Sequence, residues 1–167
     1  MTAPRIAATL VALTLLAGCA TVARYDAAGD IRRLLIAVRD GDREAFEAHI
    51  DRPALKTNLR ARLLAAAAGG HGVQSREAVG ALLAGPLVDV AVDMLVRPQV
   101  FRAAAELAGY GPETRVPPAL LLGRDIEVLG SDRVCALIRH RCAFVFRREE
   151  GGWKMIDFEG DLSLLRR

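Results

Sequence analysis

The stretch CAFVFRREEGGWKMIDF, Cys142 to Phe158, decides how the end of this chain folds. Runs rich in aromatic and β-branched residues flank Glu149-Glu150-Gly151-Gly152, and glycines in so short a connection mark a β-hairpin. Pairing across the loop sets Phe146 opposite Met155 and Val145 opposite Ile156. Strand side chains alternate between faces. One face then carries Cys142, Phe144, Phe146, Trp153 and Met155, and the other carries Val145, Ile156 and Phe158, flanked by Arg147 and Lys154. Upstream, RDIEVLG and DRVCALI also read as strands, which makes the segment 124–160 an antiparallel meander.

Before the meander the pattern is helical. Ile31, Leu34, Leu35 and Val38 repeat at helical spacing behind Asp26 or Asp30 as the capping residue, and Gly41 ends that helix. Asp42 caps a second helix with Phe46 and Ile50 on one side. Asp51 and Pro53 open a third, with Leu55, Leu59, Leu63 and Ala66 as its apolar stripe. The break GGHG, Gly69 to Gly72, closes this unit. Further short helices are expected from Ser75 to Ala84, from Pro86 to Arg97, and around Phe101, Ala104, Ala105 and Leu107. Helices first (30–110) and a meander last (124–160) define a single α+β domain over 30–167, with N-terminal short helices packed on one face of the C-terminal antiparallel β-meander.

The first eighteen residues have a different grammar. Arg5 precedes an apolar run from Ile6 to Ala17 with no acidic residue, the layout of a secretory signal. A membrane-crossing helix takes about 20 apolar residues, and this run falls short. Leu16-Ala17-Gly18-Cys19 resembles the bacterial lipobox, in which a peptidase cuts before the cysteine and its thiol is acylated. The resemblance implies a cleaved signal over 1–18, a lipidated Cys19 as the attachment point, and a membrane as partner. Residues 19–29 are then a flexible tether, with a reach of roughly 17 Å. Ala20 in place of Asp after the cysteine favours the outer over the inner membrane, on the periplasmic side of the cell envelope.

The chain has 167 residues and a net charge of +3, and removing the signal takes away only Arg5. So small an excess, with 5% aromatic residues, gives no footprint for nucleic acid. The length supports one core without a metal or a dense disulfide framework.

With Cys19 taken by lipid, Cys135 and Cys142 remain as an even pair. A hairpin turning near Ile138 and Arg139 sets them directly opposite, close enough for a disulfide. Two free thiols or a redox pair are the alternatives, although the spacing is far from CxxC. Arg133, Arg139, Arg141, Arg147 and Arg148 gather basic charge around the same hairpin. They are a candidate contact for lipid headgroups or another anion, or else a solvated turn that discourages edge pairing. Asp89 and Asp93, at i and i+4, read as the wet edge of a helix more readily than as half of a cation site. His49, His71 and His140 lack metal-ligand spacing. Ser75, Ser131 and Ser163 lack the context of a nucleophile, and Ser131, Asp132 and His140 make an awkward triad because neighbours on a strand face opposite ways. No catalytic residue, metal or cofactor is expected.

Three segments carry a further resemblance: AVRDGDREAFEAHIDRPALKTNLRARLL from Ala37, GPLVDVAVDMLVRPQVF from Gly85, and DRVCALI with CAFVFRREEGGWKMIDFEGDL from Asp132 and Cys142. Together they are similar to a bacterial domain-of-unknown-function family of small membrane-tethered or secreted proteins. RPALK, GPLVD and WKMIDF are the most specific pieces, and Arg52 stands where family members often have an aromatic residue. The helix pair followed by a sheet also resembles the cone of the nuclear-transport-factor-like fold. The family resemblance implies an envelope context without an activity, and the second likeness concerns the fold alone. The expectation is a non-enzymatic lipoprotein that binds an envelope protein or a small apolar ligand, with a pocket-type enzyme or a structural adaptor as alternatives.

Overall fold

The computed structural model describes residues 3–69, 90, 93–94, 96–107 and 111–158, with side chains described outside 3–19, 63–69, 104 and 107. The expected helix over Ser75–Ala84, most of the one over Pro86–Arg97, and His71, Ser75, Asp89 and Ser163 lie outside the described residues, as do the side chains of Leu63 and Ala66.

Helix α1 runs from Ala3 to Asp40 without a break. The segment read as a flexible tether is therefore helical, and it belongs to the core: Ala27 and Ala28 are fully buried, and Ala23 packs against the same cluster. Small side chains at 23, 27 and 28 let α1 approach closely, while Ile31, Leu34 and Val38 continue the buried stripe. Asp26 and Asp30 lie inside α1 and cap nothing. Gly41, at φ +71°, ends the helix, and its left-handed conformation is one that glycine adopts freely.

Helix α2 (Arg43–Ala48) starts as expected, with the Asp42 carboxylate accepting the Ala45 N–H at 3.0 Å. Helix α3 (Arg52–Gly69) starts behind Asp51, which accepts the Ala54 N–H at 3.0 Å. Phe46, Ile50 and Leu55 from this region are buried, as their spacing suggested. Helix α4 (Pro98–Leu107) sets Phe101 edge-on against Phe46, with centroids 5.3 Å apart. A short helix α5 (Ala119–Leu122) runs into a 3-10 turn (Gly123–Asp125) and turns its Ala119 and Leu122 toward the core.

The meander follows: β1 (Ile126–Val128), β2 (Arg133–Ile138), β3 (Arg141–Glu149) and β4 (Gly152–Phe158), all antiparallel neighbours in the order β1-β2-β3-β4. The α+β architecture is as expected. Val134, Phe146 and Met155 form one buried cross-strand row.

A register shift between Val145 and Phe146 corrects part of the hairpin reading. Phe146 does face Met155, but Val145 faces Asp157 instead of Ile156. Phe158 thereby comes opposite Phe144, and both pack against the core instead of lying on opposite faces. One extra residue in a ladder switches the side of everything beyond it.

The free edge of β4 is covered by polar contacts. His49 C=O accepts the Met155 N–H, Asp51 N–H donates to Met155 C=O, and the Asn58 amide donates to Ile156 C=O, all at 2.9–3.0 Å. An uncovered edge would template pairing with another chain. Trp153, Phe46, Leu55 and Met155 fill the space between helices and sheet.

Gly152 sits at φ +117°, and a Cβ there would lie 2.8 Å from the Asp30 carboxylate. Gly152→Ala should destabilise the fold by about 1–3 kcal/mol, through backbone strain plus displacement of Asp30. Urea titration measures this, and an unchanged midpoint would show that the turn relaxes.

Candidate functional site

The most concentrated polar chemistry among the described residues lies where α1 crosses the start of β4. Asp26 and Asp30 are one helical turn apart and face the same way. Trp153 donates its backbone N–H to Asp30 Oδ2 at 2.9 Å and its indole N–H to Asp26 Oδ2 at 3.0 Å. Arg148 pairs with Asp26 and lies over the Trp153 ring, 5.3 Å from its centroid. Asp30 is 5% exposed, pairs with Arg33, and faces His49 Nε2 at 3.6 Å. The other ring nitrogen of His49 donates to the Ala45 carbonyl at 2.8 Å, which fixes the ring. The Trp153 indole N–H and the Arg148 guanidinium hold the Asp26 carboxyl below its ordinary value.

Every member of this group is engaged with another member. Such an arrangement locks α1 to β4 and to the residue that follows α2. The sequence reading missed it because Asp26 and Asp30 look like helix caps. The available signal was two aspartates at i and i+4 on a helix, in a chain with a single tryptophan.

The five hairpin arginines do not form one patch. Arg147 pairs with Asp51 at 2.7 Å and Glu149 at 3.1 Å, and Arg148 is committed to Asp26 and Trp153. Arg133 lies 3.9 Å from Asp132. Arg139 and Arg141 remain exposed at the β2–β3 tip with His140, and none of the three makes an ion pair among the described residues. Arg139 and His140 have φ of 51° and 62°, the positive values that a two-residue I′ turn demands.

Cys135 and Cys142 form a disulfide with Cα atoms 5.6 Å apart. They are not directly opposite, as the hairpin reading had them. Cys135 faces Val145 and Cys142 faces Leu137, because the ladder shifts register between Ala136 and Leu137. The bond therefore runs diagonally across the bulge. Cys19 lies on α1, with its side chain outside the described residues.

The other candidates are dispersed. Asp93 pairs with Lys56 at 3.0 Å and lies 3.6 Å from Arg52. Arg52 pairs with Glu47 and donates to the Val96 carbonyl at 2.7 Å, joining α2, α3 and the segment before α4. That guanidinium holds Glu47 below its ordinary carboxyl value. Arg52, Pro53, Lys56, Thr57 and Arg60 line an open groove of about 360 Å³. Asp157 pairs with Arg62 at 2.6 Å. Asp132 and His140 stand at opposite ends of β2, about 20 Å apart at strand rise, so with Ser131 they form no triad.

A family model described as "Protein of unknown function (DUF2939)" matches residues 12–104, more than half of the chain. The chain belongs to that family. No curated protein and no solved structure matches it.

Two measurements probe these contacts. Replacing both Cys135 and Cys142 by Ser should cost about 2 kcal/mol, since the bond closes only a short loop. Chemical denaturation reads this, and an equal stability would leave the bond without a thermodynamic role. Asp26 has a lowered folded pKa, so its stabilisation is complete above about pH 4 and disappears as pH falls through the folded value. Asp26→Asn should then be less stable than the native chain at neutral pH, with the gap closing on acidification. A gap that stays constant with pH would show that the carboxylate's charge does not hold Trp153.

Proposed function

We propose that this chain is an exported lipoprotein, cleaved before Cys19 and acylated there, whose α+β domain is a non-enzymatic binding module. It works on the periplasmic side of the envelope, at the outer membrane. The observation that carries the reading is the run Leu16-Ala17-Gly18-Cys19 behind a short apolar segment led by Arg5. The Cys135–Cys142 bond supports it, because disulfides persist in oxidising compartments such as the periplasm.

The reading of a binding module rests on how the polar groups are used. Asp26, Asp30, His49 and Asp157 hold elements of the fold to one another. The filled space between helices and sheet favours a protein or a surface over an apolar ligand inside the domain. A structural adaptor is the second reading, favoured by Val90 and Met94, 49% and 56% exposed.

Intact mass of the protein purified from membranes of a bacterial host tests the anchor. The expected product begins at Cys19 and carries the added mass of diacylglyceryl. Material that keeps Met1, or has no acyl mass, would overturn the reading.

A further inference from the structure

α1 is helical through the segment that was expected to be flexible, which has a geometric consequence for any anchor at Cys19. Val22 lies about 4.5 Å and Tyr25 about 9 Å along the helix axis from Cys19, at 1.5 Å per residue. Both are exposed, Val22 at 67%. The Tyr25 ring lies against Gly123, so closely that a Cβ on that glycine would fall 2.6 Å from the ring. Gly123 immediately follows α5, whose Ala119 and Leu122 pack on the core while Leu120 and Leu121 stay exposed at 65% and 46%. The run RVPPALLLGRD, Arg115 to Asp125, adds two cations and one acid to this neighbourhood.

We propose that Val22, Tyr25, Leu120 and Leu121 form a membrane-contacting face, which seats the domain on an anionic bilayer surface in one fixed orientation. This deepens the lipoprotein reading and rests on it for the direction of approach. An acylated Cys19 holds its own helix at the headgroups, and amphipathic elements bury their apolar side about 5–10 Å into that zone. Val22 and Tyr25 stay within about 9 Å of that anchor, near enough for exposed side chains to reach the headgroup zone, and Tyr25 brings Gly123 and α5 with it. Tyrosine suits the boundary because its ring is apolar and its hydroxyl is wet. Arg115 and Arg124, both exposed beside α5, supply charge that complements phosphate headgroups. The other end of α1 is kept away from the surface: Gly41 is about 24 Å further along the axis from Tyr25, next to α4.

The test uses the full chain purified from membranes and reconstituted in vesicles of phosphatidylethanolamine and phosphatidylglycerol. Nitroxide labels are placed on Val22→Cys, Leu121→Cys and, on α4, Val100→Cys. Labels at 22 and 121 should lose most of their collisions with a water-soluble nickel chelate and gain collisions with oxygen, while the label at 100 stays open to nickel. In the unsubstituted chain, vesicles should slow amide exchange across 119–125. Equal nickel access at all three sites, with unchanged exchange, overturns the proposal. Shielding at 121 that needs no vesicles, with spin–spin broadening relieved by unlabelled chain, overturns it in favour of a second copy. Acyl mass on Cys19, measured on the same samples, separates the two readings. An acylated chain with exposed labels removes the face and keeps the anchor, and an unacylated chain with buried labels does the reverse.

Discussion

A buried carboxylate ties the two halves of this fold together. Asp30, in the middle of α1, accepts the backbone N–H of Trp153 at the point where β4 begins. A carboxylate taken out of water is costly unless its oxygens are satisfied, and here Trp153, Arg33 and the His49 ring surround it. Removing a partner leaves the charge stranded, so the arrangement punishes misplacement of either element. It also explains why the hairpin ends on Gly152. Any larger residue would occupy the volume that Asp30 Oδ2 fills.

The same contact orders what lies around it. Once β4 is fixed against α1, its Met155 backbone pairs with the chain between α2 and α3, where Ile50 forms a parallel bridge. Asn58 and Arg62 on α3 then reach the Ile156 and Phe158 carbonyls. The sheet edge is thereby closed by a single backbone bridge at Ile50 and by two α3 side chains that donate to strand carbonyls. Arg147 and Arg148 belong to the same closure. Arg147 joins β3 to Asp51 at the start of α3, and Arg148 joins it to Asp26 on α1.

Local chemistry made much of this legible. The caps at Asp42 and Asp51, the stop at Gly41, the buried pair Phe46 and Ile50, and the β3–β4 loop follow from rules that act within a few residues. What escaped was set by tertiary partners. Asp26 and Asp30 have the residue type of a cap, and only the distant Trp153 reveals that they are acceptors for another element. The two ladder irregularities leave no mark of their own among alternating apolar residues, so Phe158 and the cysteine pair were placed one step off. Residues 20–29 read as a tether because they lie between the lipobox cysteine and the first apolar stripe at Ile31. Their alanines are what let the helix sit against the core.

The two ends of the β3 strand are held by different means. At the β4 end, side chains from α1 and α3 absorb the charge of Arg147 and Arg148. At the β2 end, the turn is made by Arg139 and His140, whose positive φ costs on the order of 1–3 kcal/mol each outside glycine. The Cys135–Cys142 bond contributes about 2 kcal/mol of the opposite sign at the base of that turn. Asn-Gly would make the same turn without strain. Arg139, His140 and Arg141 stand exposed at that tip, with the disulfide stapling the hairpin beneath them. The cluster read from the sequence thus separates into Arg147 and Arg148, which build the domain, Arg133 beside Asp132, and Arg139 and Arg141 exposed at the tip.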